Sequence, residues 1–395
     1  MDSPSPSPHD GDEHADVVII GCGAAGLATA RELAGRGRHV IGLDKFDHGH
    51  IRGSSHGTER IVRMAYADPV HVEMAVAALD GWRRLEHDAG TALLTPTSGL
   101  DAGTSAELDA IATQCAAVGI ATERLTADEA AVRFAGDGGP WFRFETDVLY
   151  QPRTWTVNAD RSLVALRSLA ERWGADIRAG SGVTGIDLID GDAGVIVHHP
   201  AGRIRADRCV VTAGAWGAEP WIAAALGEHA TLSPMRVTQE RVGFFEFGEA
   251  WSSGAPFPTF IIREEPAVYG LPTPDGLLKV GEHHTGAVID PDAPPDSPDP
   301  AAWERFLAWV RTRLPAVVPT PVGSTTCLYA AYPDDMFVMD RAGPVVIGLG
   351  FSGHGFKFVP EIGRRLADLA DGIDWPNNPF AFERDPLDMG ASGHR

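Results

Sequence analysis

The sequence predicts an α/β fold of α+β two-domain character, in which a second, strand-rich domain is inserted into a Rossmann-like domain. An apolar strand, Asp16-Val-Val-Ile-Ile20, runs directly into the glycine-rich turn Gly21-Cys-Gly23-Ala-Ala-Gly26. Strand-like runs are concentrated between residues 235 and 285, and a late apolar strand over 345–349 leads into a second glycine-rich loop. These observations predict that distant segments of the chain complete the first domain.

The first 30 residues of the folded chain form a complete βαβ pattern. A helix is predicted from Leu27 to about Gly35, and a second strand, His39 to Leu43, ends at Asp44. Glycines at these positions allow a tight turn and let the backbone approach a pyrophosphate at the N-terminus of the helix. An acid at the end of the second strand is suited to accept hydrogen bonds from a ribose. The spacing therefore predicts a dinucleotide site that includes Gly21, Gly23, Gly26 and Asp44.

The remaining elements follow from periodicity and from turn residues. Helices are predicted over 71–85, 105–118, 127–134, 154–173, 301–314 and 359–370. Strands are predicted over 175–186, 194–198, 242–247, 259–262, 277–280 and 345–349, with a Pro- and Asp-rich loop over 290–300. We expect a disordered tail over 1–14, a first domain from 15–90, 150–230 and 320–385, and a second domain from 91–149 and 231–319.

Composition excludes several classes of function. The chain of 395 residues has 54 acidic and 33 basic side chains, a formal charge of −21, which argues against nucleic acid and anionic membranes as partners. It has no apolar run of the ~20 residues that span a bilayer and no secretory signal at its N-terminus, so a cytoplasmic protein is expected. The four cysteines, Cys22, Cys115, Cys209 and Cys327, lie far apart, and no disulfide framework or metal site is expected.

Lysine is rare in this chain. Only Lys45, Lys279 and Lys357 occur, and all other basic residues are arginine. Because arginine supplies the surface charge, each lysine is a candidate for a role that needs a compact, titratable amine.

Three further motifs carry a resemblance to a known family. They are the segment Gly53-Ser-Ser-His-Gly-Thr-Glu-Arg60-Ile-Val-Arg63-Met-Ala-Tyr66, the stretch Gly350-Phe-Ser-Gly-His-Gly-Phe-Lys357-Phe, and Cys327 within Thr-Cys-Leu-Tyr. From about Asp16 to Ala370 the chain resembles the monomeric sarcosine oxidase and N-methyltryptophan oxidase family of the D-amino acid oxidase-like superfamily. The resemblance implies a monomeric, FAD-dependent oxidase of N-methylated and cyclic amino acids, with the flavin attached to Cys327 through a thioether.

The resemblance also implies roles for two arginines and a lysine. Arg63 and Lys357 would bind the substrate carboxylate, and Arg60 would lie close to the flavin ring. Arginines three residues apart share one side of a helical turn, and the apolar residues between them argue against an exposed basic face. The segment is therefore predicted to be a buried helical turn.

Lys279 lies in the strand-like run Leu277-Leu-Lys-Val280. Alternation along a strand points it away from Leu278 and Val280, and this pattern alone favours a solvent-facing lysine. The resemblance instead places Lys279 over the flavin, where its positive charge would promote electron transfer to molecular oxygen. It also makes His283, four residues later, a residue that contacts the substrate.

Other positions take roles only from the resemblance. Tyr269 and Tyr329 would line the substrate pocket, and the loop after the last strand would direct its backbone amides to the flavin. The remaining implied cofactor contacts are Lys45, Ser54, Val183, Gly214, Trp216, Gly350, Gly353 and Gly355.

Two residues depart from the family pattern. Glu59 stands where the family usually has a neutral polar residue, and Met64 replaces a usual histidine. The predicted reaction oxidises a secondary or tertiary α-amino acid to an imine that water hydrolyses, with hydrogen peroxide as the second product. Oxidation of a cyclic imino acid, oxidation of a larger secondary-metabolite amine, and a flavin-binding sensor without catalysis remain open alternatives.

Overall fold

The computed structural model describes residues 13–189, 193–251, 256–294, 297 and 299–384. Of the tail predicted over 1–14, residues 1–12 lie outside this part of the chain, and Glu13 and His14 begin the first strand. No helix in the described ranges is long and apolar enough to cross a bilayer. Over the same ranges, no group of three His, Cys, Asp or Glu side chains is arranged to hold a metal ion.

The described chain contains eight helices and twenty strands. The helices are α1 (Ala24–Gly35), α2 (Pro69–Ala89), α3 (Ser105–Ala117), α4 (Ala127–Arg133), α5 (Ala159–Arg172), α6 (Pro220–Leu226), α7 (Pro300–Arg313) and α8 (Val359–Ala370). The strands are β1 (Glu13–Ile20), β2 (Val40–Leu43), β3 (Arg60–Val62), β4 (Leu94–Ala102), β5 (Glu123–Leu125), β6 (Ala135–Gly136), β7 (Gly139–Pro140), β8 (Val148–Val157), β9 (Asp176–Arg178), β10 (Gly185–Ile189), β11 (Gly194–His199), β12 (Gly202–Val211), β13 (Arg236–Glu246), β14 (Thr259–Ile262), β15 (Val268–Pro272), β16 (Leu277–Glu282), β17 (Ala287–Val288), β18 (Gly323–Ala331), β19 (Val338–Ala342) and β20 (Val345–Leu349).

The first sheet has a parallel centre, as the Rossmann-like prediction requires. Its order is β10-β11-β12-β1-β2-β9, with β20 beside β12 and β19 beside β20. Val17 and Ile19 of β1 belong to a core with α1, α2, α5 and α8, whereas Val18 and Ile20 pack on the side of α6. Because both faces are covered, the second half of β1, Val17 to Ile20, is a continuous buried apolar run, and its carboxyl end opens into the glycine-rich turn.

The second sheet has one apolar face and one polar face. Its order is β17-β13-β16-β15-β14-β4-β8-β3, with β18 beside β13 and β5 beside β8. Leu278 and Val280 of β16 pack into an aromatic core with Phe245, Phe260 and α7. The intervening Lys279 therefore points to the opposite face.

The boundaries of the two predicted domains remain a prediction. The two sheets divide the strands differently from those boundaries. The strands β3 and β18, and nearly all of β8, were predicted with the first domain, yet all three pair in the second sheet. The chain thus passes between the two sheets more often than the predicted domain segments imply.

Most predicted elements are confirmed, and three predicted segments are wrong. The strand predicted over 175–186 is instead two strands, β9 and β10, because residues 179–184 between them are not in a strand. The helix over 154–173 begins only at Ala159, because Trp155, Thr156 and Val157 extend β8 and Asn158 caps the helix by accepting a hydrogen bond from the Arg161 N–H. The helical turn predicted around Arg60 is the strand β3, paired antiparallel with β8. In the latter two segments β-branched residues favour the extended backbone.

The turn after β1 has no room for a side chain, which gives a test of the fold. Gly21 has φ +90°, and a Cβ there would lie 2.6 Å from the Thr212 carbonyl oxygen. Gly37 has φ +81° but nothing within 4 Å of an added Cβ. We expect Gly37→Ala to cost about 1–2 kcal/mol from backbone strain alone. Gly21→Ala should cost about 1–3 kcal/mol more because of the clash.

Urea unfolding followed by circular dichroism measures both losses. Equal losses of unfolding free energy in the two variants would contradict the close approach of β12 to the turn.

Candidate active site

One cavity of about 1080 Å³ collects nearly all the site residues that the sequence predicts. The lining includes Gly21, Gly23, Asp44, Lys45, Ser54, Arg60, Arg63, Val183, Gly214, Trp216, Tyr269, Lys279, His283, Cys327, Tyr329, Gly353, Gly355 and Lys357. These residues come from distant parts of the sequence and from both sheets. The cavity is large enough for a dinucleotide and a small substrate together.

One end of the cavity has the features of a dinucleotide site. Gly23 is the N-cap of α1 and has no side chain to cap it, while Ser55 Oγ accepts a hydrogen bond from the Ala24 N–H at 3.1 Å. The positive end of the helix dipole lines the cavity, where it favours a phosphate. Asp44 accepts hydrogen bonds from the backbone N–H groups of Cys22 (2.8 Å) and Phe46 (2.9 Å), which fixes its carboxylate at the end of β2. The residues present fit FAD.

Two predicted cofactor residues, Gly26 and Gly350, do not line the cavity. A Cβ on Gly26 would lie 2.0 Å from the Gly21 carbonyl oxygen, so this glycine allows α1 to pack against the turn. Gly350 has φ +72°, and a Cβ there would lie 2.3 Å from the Tyr332 ring. Both glycines shape the backbone around the site instead of facing it.

Lys45 and Trp216 meet at the mouth of the cavity. Lys45 Nζ lies 2.8 Å from Asp292 Oδ1, and Trp216 Nε1 donates to the same oxygen at 2.9 Å. Lys45 Nζ also lies 5.4 Å from the centre of the Trp216 ring. Both side chains are therefore held by a residue of the loop predicted over 290–300.

Arg60 is held by backbone carbonyls. Its guanidinium donates to the carbonyl oxygens of Glu59 (2.8 Å), Ser54 (3.0 Å) and His56, and it lies 5.6 Å from the centre of the Phe356 ring. Carbonyl oxygens orient the charge without cancelling it. Arg60 therefore presents a fixed positive charge to the cavity.

Lys279 is buried, with 9% of its surface exposed, and it faces the cavity. The prediction from strand alternation is correct, but the face opposite Leu278 is the cavity wall and not the solvent. Burial, followed by the charge of Arg60, lowers the pKa of Lys279 to about 7, against the opposing influence of Cys327 and Glu59. The amine can therefore change its charge near neutral pH.

Glu59, the first departure from the family pattern, also lines the cavity and is 3% exposed. Burial raises its pKa to about 7, against a hydrogen bond from Asn158 at 3.4 Å and the positive charges of Lys279 and Arg60. Met64, the second departure, belongs to the core beside α2 and does not line the cavity.

An aromatic group surrounds Cys327, which lies in β18 beside Tyr329. Tyr329 Oη lies 3.3 Å from His283 Nδ1, and the Tyr269 and His283 rings meet edge to face. Burial raises the pKa of the Cys327 thiol, while Arg60 and Lys279 lower it. Cys327 is partly exposed, whereas the other three cysteines are buried.

Arg63 and Lys357 approach the same tyrosine ring. Arg63 Cζ lies 4.2 Å and Lys357 Nζ 5.8 Å from the centre of the Tyr66 ring. Lys357 Nζ donates to the His354 carbonyl at 2.7 Å, and Arg63 donates to the Ala65 carbonyl. Burial, followed by the charge of Arg63, holds the pKa of Lys357 well below its usual range. An anion bound here would meet the Arg63 guanidinium and would favour the protonated form of Lys357.

Two charged residues beside Arg63 were not predicted from the sequence. Arg263 follows β14 and lines the cavity, and Asp101 of β4 lies between the two arginines. No local motif marks either residue, because they meet only through the pairing of β14 with β4.

Comparisons with known proteins agree with this geometry. Residues 16–369 match the family described as FAD dependent oxidoreductase, DAO. Peroxisomal sarcosine oxidase of Homo sapiens is 32% identical over 392 residues, which cover 94% of this chain and 96% of that protein. A probable sarcosine oxidase of Arabidopsis thaliana is 31% identical over 381 residues, covering 91% and 88%.

Among solved structures, the open form of NikD, described as an unusual amino acid oxidase essential for nikkomycin biosynthesis, superposes with a TM-score of 0.79 at 27% identity. The superposition covers 93% of this chain and 96% of NikD. The fold, the dinucleotide end of the cavity and these matches lead to one assignment. The chain belongs to the DAO family of FAD-dependent oxidoreductases.

Proposed function

We propose that the protein is an FAD-dependent oxidase of secondary or tertiary α-amino acids, sarcosine-like N-methyl amino acids above all, with molecular oxygen as the electron acceptor. The observation that carries the proposal is a single cavity that extends from the dinucleotide end to Arg63, Lys357 and the buried Lys279. The sarcosine oxidases among the relatives support the substrate class.

When bound, FAD accepts two electrons from the amine and passes them to oxygen. In this proposal Gly21, Gly23, Asp44 and the N-terminus of α1 would hold its dinucleotide part, and Cys327 would be joined to it by a thioether, with oxygen accepting the two electrons and two protons that this linkage releases. Arg60 would lie close to its ring. Lys45 and Trp216 lie at the mouth of the cavity, and Ser54, Val183, Gly214, Gly353 and Gly355 complete the contacts.

The chain's own residues would bind and orient the substrate. Arg63 and Lys357 would bind its carboxylate, because two desolvated donors favour an anion over water. Tyr269, Tyr329 and His283 would form the wall that positions the amine. Lys279 would place positive charge where oxygen is reduced, since a forming anion is stabilised by a fixed cation in a dry site. We further propose that the protein acts as a monomer in the cytoplasm.

A second candidate is oxidation of a larger secondary-metabolite amino acid. The likeness to NikD favours it, as does the volume of a cavity that has room beyond a small substrate.

The proposal is tested by measuring hydrogen peroxide with sarcosine, larger N-methyl amino acids, proline and pipecolate, each as the free acid and as its methyl ester. We expect peroxide from at least one free acid and poor oxidation of its ester, which lacks the charge that Arg63 and Lys357 would bind. Equal oxidation of acid and ester would contradict the carboxylate site. Failure of every amine, with flavin bound, would favour a sensor over an oxidase.

The proposed thioether predicts that the flavin stays with the protein after acid precipitation. Cys327→Ser should release all the flavin into the supernatant because serine cannot form this bond. Cys115→Ser, a change at a buried cysteine outside the cavity lining, is the matched control and should retain the flavin. Absorbance of the precipitate and of the supernatant measures the retained and the released flavin. Release of the flavin from the unchanged protein would refute the attachment.

The proposed role of Lys279 predicts a pH dependence in one half-reaction only. The protonated amine is the active form, and its pKa is about 7, so the rate constant for reoxidation by oxygen should fall as the pH rises through that value. Lys279→Met should slow reoxidation far more than reduction by the amine and should remove the pH dependence. Anaerobic stopped-flow reduction, followed by mixing with oxygen, measures the two steps separately.

Glu59→Gln is the control for this experiment, because Glu59 also titrates near pH 7. A pH dependence that disappears in Glu59→Gln and persists in Lys279→Met would assign the titration to the carboxyl group. Equal slowing of both half-reactions in Lys279→Met would mean that the lysine only shapes the pocket.

A further inference from the structure

Three charged side chains and one amide form a row across four neighbouring strands of the second sheet. The strands are β14, β4, β8 and β3, in that order. Arg263 follows β14, Asp101 lies in β4, Gln151 lies in β8, and Arg63 follows β3. Asp101 alternates with Leu100 and Ala102, which pack in the aromatic core, so its side chain points to the cavity side of the sheet.

One carboxylate oxygen connects the two guanidinium groups. Asp101 Oδ1 lies 2.7 Å from Arg263 Nη1 and 3.7 Å from Arg63 Nη1, and Asp101 Oδ2 accepts a hydrogen bond from Gln151. Asp101 is 1% exposed and does not line the cavity, whereas both arginines do. The carboxylate therefore lies behind the guanidinium groups and can neutralise only one of them.

The balance of charge at this end of the cavity favours more than one anion. Within the described residues, Asp101 is the only carboxylate within 4.0 Å of either arginine, and Lys357 has none. Glu107 also lines the cavity, and its carboxylate, which accepts hydrogen bonds from the Thr104 N–H and hydroxyl at the start of α3, lies more than 4.0 Å from both arginines. Among the groups in direct contact, Arg63, Arg263 and protonated Lys357 carry three positive charges against the one negative charge of Asp101. A single substrate carboxylate therefore leaves one positive charge unbalanced at this end of the cavity.

We propose that the substrate carries a second anionic group, making it an N-alkylated dicarboxylic amino acid, and that Arg263 binds this group. The inference rests on the proposed function, and it adds a residue that determines specificity. A guanidinium that is largely removed from water binds a carboxylate through two parallel N–H donors, which a neutral amide cannot replace at equal strength. In the competing interpretation Arg263 only neutralises Asp101, and the cavity has no preference for a second charge.

Ligand binding to the holoenzyme separates the two interpretations. Glutarate and glutaramate have the same shape, but an amide replaces one carboxylate in glutaramate. We expect glutarate to perturb the flavin absorbance with a dissociation constant at least about tenfold lower than that of glutaramate, a difference of about 1.4 kcal/mol. Arg263→Met should reduce this ratio to nearly one.

Two further variants keep the test decisive. Arg241→Met removes an arginine of the same sheet that does not line the cavity, and the glutarate preference should persist there. Arg263→Lys retains the charge beside Asp101 without the planar donor pair, so its ratio of the two dissociation constants should lie between those of the unchanged protein and Arg263→Met. This variant replaces Arg263→Met if Arg263→Met does not fold. Equal binding of the two ligands by the unchanged protein, or an unchanged ratio in Arg263→Met, would overturn the proposal.

Turnover provides an independent comparison through kcat/KM for N-methyl-L-glutamate and N-methyl-L-glutamine. The glutamate derivative should be preferred by the unchanged protein, and the preference should decrease in Arg263→Met. Equal turnover of both amines would refute the inference and leave the proposed oxidase intact. If neither amine is oxidised, the proposed function fails for this substrate class, and the glutarate titration still decides whether Arg263 binds a second anion.

Discussion

The site depends on holding several positive charges in one cavity with too few carboxylates to neutralise them. The cationic side chains that face the inner cavity are Arg60, Arg63, Arg263, Lys279 and Lys357. Backbone carbonyls hold Arg60 and Lys357, and within the described residues Asp101 is the one carboxylate within 4.0 Å of any of these five side chains. Carbonyl dipoles orient a cation but leave its charge in place, and burial makes that charge costly. The lowered pKa values of both lysines are the consequence, and a bound anion would relieve the imbalance.

The two sheets make this concentration of charge possible. The second sheet packs one face on an aromatic core, and residues of β14, β15 and β16, such as Ile261, Tyr269 and Lys279, line the cavity. The loop after β20 closes the other side, where the Ser352 N–H donates to the Ala330 carbonyl of β18 at 3.0 Å. A Cβ on Gly353 would lie 2.2 Å from the Tyr329 ring, so a glycine is needed for this approach. The glycine-rich loop thus brings Lys357 to the wall that carries Lys279.

Sequence reasoning succeeded where the signal was local. The fingerprint from Gly21 to Asp44 could be predicted because its strand, turn, helix and acid follow one another within one βαβ unit. The rarity of lysine directed attention to Lys279, which lines the cavity, although alternation alone could not show that the opposite face was a cavity. The pairing of Arg263 with Asp101 was missed because it depends on parallel register between β14 and β4, which are distant in the chain. Arg60 was placed on a helical turn because residues three apart share one side of a helix, whereas the extended backbone depends on the pairing of β3 with the distant β8.

The central claim, that buried cations await an anion, is tested most directly by counting protons on ligand binding. Isothermal titration calorimetry of a monocarboxylate such as butyrate with the holoenzyme, at about pH 8 in buffers of different ionisation enthalpy, gives this number. A bound carboxylate should raise the pKa of Lys357 and Lys279, whose pKa values burial lowers, so the account predicts net proton uptake. Binding without proton uptake, or with proton release, would contradict it.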